Sequence, residues 1–156
     1  MFLISDDQAG RHEVIRSFLT EAQAPIAVIL AAVDFEWTVR RAVLSMGTNP
    51  TQYIRRNVMN RNSSLDHYKQ SWKSEVFPHL QKTLPDVISN WSRVQQAFRQ
   101  RGRLVHGVVG TVKLDVAETS VTDILLASLQ LEQYATKNGG TLYRRIIRRK
   151  TRSVRP

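Results

Sequence analysis

Apolar positions recur every three or four residues along most of this chain, and no useful run alternates with period two. The pattern predicts a first helical region over residues 7–46, split or kinked at Pro25. Beyond that proline, Ile26, Leu30, Val33, Trp37 and Val39 to Val43 leave a broad apolar face, and Gly47 is a C-cap. Glu36 and Arg40, four apart, are placed to pair on that helix. Asn62 to Ser64 read as a helix start, followed by Leu65, Tyr68, Trp72 and Val76 at helical spacing. A further helix is predicted from Leu84 to Val105, with Pro85 in its first turn and Val87, Trp91, Val94, Phe98 and Val105 on its core face. The last helix is capped by Thr119 or Ser120, carries Ile124, Leu125, Ala127, Leu129, Leu131 and Tyr134 inward, and stops at Asn138-Gly139. The best candidate strand, Gly107 to Val116, is short and isolated. The expected architecture is all-α: a four- to five-helix bundle over residues 1–140, with a basic C-terminal helix or tail over 141–156.

Composition narrows this picture. The 156 residues suit one domain, and 42% apolar with 23% charged residues is a soluble, globular balance. With no cysteine, disulfides, thiolate zinc sites and cysteine nucleophiles are excluded. The opening MFLISDDQAG lacks the basic region of a signal peptide. The longest apolar run, Pro25 to Val33, is too short to span a bilayer, so a cytoplasmic protein without membrane contact is expected. The net charge of +10 is concentrated: Arg144, Arg145, Arg148, Arg149, Lys150, Arg152 and Arg155 crowd an end that holds no acid. Such a segment prefers polyanions, nucleic acid above all. It has few core residues, so removing Gly140 to Pro156 is expected to leave the body folded.

The stretch RQRGRLVHG, Arg99 to Gly107, sets Arg101 and His106 at the end of a helix in an R-x4-H arrangement. With these residues the chain resembles the HEPN superfamily (higher eukaryotes and prokaryotes nucleotide-binding): small helical bundles, many of them metal-independent ribonucleases. The resemblance implies that Arg101 and His106 are a catalytic pair and that Glu36 is similar to an acidic residue several members carry on an early helix. It also implies a homodimer acting on RNA in toxin–antitoxin or antiviral defence systems, with an antitoxin or other defence protein as a possible partner. Members often place a polar residue after the motif arginine; here that residue is Gly102.

The chemistry stands by itself as well. RNA carries its own 2′-OH nucleophile, an imidazole moves the proton, and a guanidinium supports the phosphate as charge builds. No cofactor or metal is called for: His12, His67, His79 and His106 are scattered, with none spaced i, i+4. On a regular helix Arg101 and His106 point about 140° apart. Either a glycine breaks the helix or two chains share a cleft. Arg99, Arg103 and His106 do share a face and are candidate substrate contacts, as are Arg144, Arg145, Arg148 and Arg149 of the tail. Blander assignments exist: His106 as a C-cap, Arg55, Arg56 and Arg61 as solvated charge, and Trp37, Trp72 and Trp91 as core. Two other functions fit the pattern, a non-catalytic binding or adaptor module and a DNA-binding helix-turn-helix in Pro50 to Val76.

Overall fold

The 23 residues Ala24–Met46 form the helix around which the rest is arranged. We number it α2 in a computed structural model that describes residues 7–60 and 64–143. Before it lies α1 (Gln8–Ser17). After it come a single turn α3 (Thr51–Tyr53), a π-helical turn (Ile54–Val58), α4 (Leu65–Glu75), two further single turns α5 (Phe77–Leu80) and α6 (Leu84–Val87), α7 (Trp91–Val105) and α8 (Leu114–Lys137). Among the described residues the fold is all-helical, with no strand. None of these helices is long and apolar enough to cross a membrane.

The central place of α2 follows from its composition. Ala27, Ala31, Phe35, Val39, Ala42 and Val43 are all fully buried, and small side chains let neighbouring helices approach closely. The longest neighbour, α8, answers with Ala117, Val121, Ile124, Ala127 and Leu131, spaced by three, four and seven. On another side α7 seats Val94 and Ala97, and Phe98 meets Phe35 edge-on at 5.6 Å. Burying a Phe side chain contributes about 1.5–3 kcal/mol and the edge-on geometry about 0.5–1.5 more. That outweighs any half-exposed ion pair across the same interface, so the rings set the register of α7 on α2.

Several boundaries differ from the expectation, each for a local reason. The first helical region is two helices. Asp7 caps α1 through Ala9 and Gly10, the chain turns over residues 18–23, and Pro25 stands in the first turn of α2, where its missing N–H costs nothing. The predicted helix from Leu84 to Val105 is broken at Ile88, which is extended and buried. Side chains of α8 hold the break: Gln130 accepts from the Ser89 N–H and donates to its hydroxyl, and Asn90 donates to the Asp123 carbonyl. The candidate strand is a loop running into α8, which starts at Leu114, earlier than the proposed Thr119 or Ser120 cap. Thr119 instead bonds the Asp115 carbonyl one turn back.

The end of α8 is a Schellman turn. Gly139 adopts φ +77°, its N–H reaches the Thr136 carbonyl, and the Gly140 N–H reaches that of Ala135 at 2.7 Å. This reverses the chain onto α2. The Thr141 N–H donates to Ser45 Oγ, the Leu142 carbonyl accepts from Arg41 Nε at 2.6 Å, and the Leu142 side chain is buried. Part of the segment regarded as dispensable is therefore core. A chain ending at Gly140 is expected to lose at least the burial of Leu142, about 1.5–3 kcal/mol, whereas one ending at Arg145 keeps it. Thermal and urea melts of the two truncations against the full chain check this.

Candidate functional site

The helix α7 runs unbroken through Gly102 to Val105, and His106 is its C-cap, followed by Gly107 at φ +69°. A break at Gly102 is thereby ruled out as the means of bringing Arg101 and His106 together, and the motif is sorted onto two faces. Val94, Ala97, Phe98 and Arg101 lie at spacings of three and four along the inner stripe. Arg99, Arg103 and His106 lie on the outer one, and all three are exposed. No hydrogen bond or ion pair joins His106 to Arg101.

The inner arginine meets an acid. Phe35 and Phe98 fix the helices so that their neighbours Glu36 and Arg101 face each other, with Arg101 Nη2 3.6 Å from Glu36 Oε1. The Glu36–Arg40 pair expected from spacing is replaced by this one across 65 positions of sequence. Arg40 is engaged elsewhere: it donates to the Tyr68 hydroxyl and the Met59 carbonyl and lies over the Tyr68 ring. The Glu36–Arg101 contact is an ion pair without a good hydrogen bond. Glu36 Oε1 and Arg101 Nε are both buried and bond no protein group. Burial raises the Glu36 carboxyl above its ordinary range, against the opposing pull of Arg101 and Arg40.

A second polar cluster was not singled out from the sequence. Asp34, wholly buried on α2, accepts from Arg11 Nε at 2.8 Å and lies 3.0 Å from His12 Nε2, both on α1. Arg11 also donates to the Tyr143 hydroxyl, and its guanidinium lies beside both the Trp37 and Tyr143 rings, 4.7 and 4.8 Å from their centres. Those rings stack on each other at 5.6 Å, and Arg41 lies over Trp37 from the other end. Burial would raise the Asp34 carboxyl, but the bonds from His12 and Arg11 outweigh it and hold it below the usual range. Burial pushes the Tyr143 phenol up to about 12. The signal was present: an aspartate inside the most apolar helix needs a partner, and the adjacent Arg11 and His12 were one. Of the tryptophans, Trp72 is buried and Trp91 packs against the core, whereas Trp37 is a surface ring in this stack.

The cluster fixes where the basic segment leaves the body. Tyr143, the last described residue, rests on Trp37 of α2. Arg144, Arg145, Arg148 and Arg149, like Arg61, lie outside the described residues. Arg55 and Arg56 are exposed on the π-helical turn. Gly102 faces open space, with nothing near the position a Cβ would take.

No protein-family model, curated protein or solved structure matches this chain.

The two carboxylates are shifted in opposite directions, Asp34 down and Glu36 up. Asp34→Ala leaves a buried guanidinium unpaired and is expected to cost about 3–5 kcal/mol in chemical denaturation. The depressed Asp34 carboxyl stabilises the fold above the ordinary carboxylate range, and that contribution disappears as acid titrates it. Glu36 behaves oppositely. Its raised carboxyl favours folding while neutral, and the advantage is lost as pH rises through the raised value. Glu36→Gln is accordingly expected to be more stable than the wild type at about pH 8, with the difference shrinking toward about pH 4. Paired melts across that range show the trend, and a difference independent of pH contradicts it.

Proposed function

We propose that this protein is a metal-independent endoribonuclease of the HEPN type, built as a helical bundle and active as a homodimer in the cytoplasm, with a role as a toxin or phage-defence effector. The observation that carries the proposal is the pairing of Glu36 with Arg101 on facing helices, one turn from an exposed His106. In this mechanism Arg101 holds the scissile phosphate, Glu36 positions the guanidinium, and His106 moves the proton of the 2′-OH or the leaving oxygen. Because Arg101 and His106 occupy different faces of α7, the working pair joins Arg101 of one protomer to His106 of its partner. Exposed Arg99 and Arg103 supply phosphate contacts beside His106, and the basic segment beyond Tyr143 extends the RNA path.

A second reading is a non-catalytic RNA-binding or adaptor module. It is favoured by Gly102, which leaves no polar side chain beside Arg101. The same position has room for one.

His106→Ala is expected to lower RNA cleavage about 10²–10⁴-fold with binding retained. Arg101→Ala is expected to lose cleavage and weaken binding, since its charge meets the phosphate before and during reaction. Cleavage should persist in EDTA and fail on a substrate lacking the 2′-OH. Mixing the Arg101→Ala and His106→Ala proteins, each inactive, is expected to restore part of the activity through one intact composite site. Absence of rescue in a verified heterodimer rejects the shared cleft. A wild type that binds RNA and never cuts it, while Gly102→Asn cuts, supports the adaptor reading.

A further inference from the structure

Away from both clusters, α4, α5 and the start of α6 enclose a cleft of about 580 Å³, a size that suits a small organic ligand. Its inner wall is apolar: Phe77, Leu84 and Pro85, over the buried Trp72. The polar groups of that wall are already engaged. The Trp72 indole N–H donates to the Lys82 carbonyl at 2.9 Å, and the Thr83 hydroxyl donates to Asp86 at 2.6 Å while accepting from the Asp86 N–H. The outer wall is one edge of α4, where Asp66, Lys69 and Lys73 recur at spacings of three and four. Asp66 pairs with Lys69 at 2.8 Å, and Lys73 has no ion-pair partner among the described residues. The wall therefore carries one uncompensated positive charge above an apolar floor.

We propose that this cleft binds a small amphipathic monoanion: a carboxylate carried on an aromatic or aliphatic body. The body lies against Phe77 and Pro85, and the carboxylate meets the Lys73 ammonium at the rim. The charge count excludes a polyanion as the preferred occupant, because one free lysine answers one negative charge. A neutral apolar molecule would fill the floor and leave Lys73 unanswered. This site is independent of the RNA-cleaving reading, since none of its residues belongs to Glu36, Arg101, His106 or the arginines beside them.

Calorimetric titration of the full chain with 2-naphthoate and with decanoate tests the proposal. Each is expected to saturate at one molecule per chain with a dissociation constant below about 1 mM, the scale set by a ligand of this size. The alcohols 2-naphthalenemethanol and decanol should bind several-fold more weakly. Lys73→Glu should weaken the carboxylates at least about tenfold, the scale of one charge-assisted contact, and Lys73→Arg should retain them. Gln70→Trp, which crowds the cleft from its exposed edge, should abolish binding. Lys113→Glu, the same charge change at the opposite end of α8 from the Tyr134 that meets Trp72, should leave it unchanged. If only one of the two carboxylates binds, the cleft selects that body and the charge argument stands. Failure of both to saturate overturns the proposal, as does equal weakening by Lys73→Glu and Lys113→Glu.

Discussion

The Asp34 carboxylate is the constraint on which the arrangement of this protein depends. It sits wholly inside the most apolar helix, where an unpaired charge is not tolerated. Its two oxygens require donors, and Arg11 and His12 supply them from consecutive positions of α1. That fixes the angle and register of α1 on α2. Arg11 then needs its remaining donors and faces satisfied, which brings in Tyr143 and Trp37. One buried charge thus ties together the beginning of the described chain, its central helix and its last described residue. Replacing such a network by apolar groups often costs little stability. Its contribution here is specificity, since an apolar contact would not dictate which residue lies over Trp37.

The Glu36–Arg101 pair is a contrasting use of charge. It is less buried, separated by 3.6 Å, and leaves a donor and an acceptor without protein partners. Burial works against the Glu36 charge, whereas at Asp34 the hydrogen bonds prevail. The first cluster is satisfied internally and behaves as structure. The second retains unused hydrogen-bonding capacity. The two are linked by sequence adjacency on α2, because Trp37 belongs to one and Glu36 to the other.

The motif on α7 illustrates how a regular helix divides chemistry between faces. Arg101 continues the stripe of Val94, Ala97 and Phe98 and is drawn inward, while Arg99, Arg103 and His106 stand outward. A helix held straight by the Phe35–Phe98 contact cannot turn both motif residues to one point. Their convergence, if catalysis uses both, requires a second surface. The π-helical turn and the cleft beside α4 show the same economy: short elements around a rigid three-helix core carry the exposed arginines and the half-enclosed space.

The sequence by itself determined the all-helical class, the stop at Asn138-Gly139 and the start at Ser64, but not every inward position, since Ile26, Val33, Trp37, Val105 and Leu129 of the expected apolar faces are exposed. The class, the stop and the start are local consequences of periodicity and of residues with specific backbone or capping preferences. The tertiary structure decided the break at Ile88, because Gln130 and the Asp123 carbonyl of α8 hold Ser89 and Asn90 where propensity alone would have left a helix. It decided that Glu36 pairs with Arg101 in place of Arg40, because Tyr68 and Met59 engage Arg40 and an aromatic contact sets the helix register. It decided that Leu142 is core, since a Schellman turn aims the chain at α2. Periodicity is written in neighbours three and four apart. A partner one hundred positions away is chosen by packing, which brings a buried charge to whichever donor can reach it.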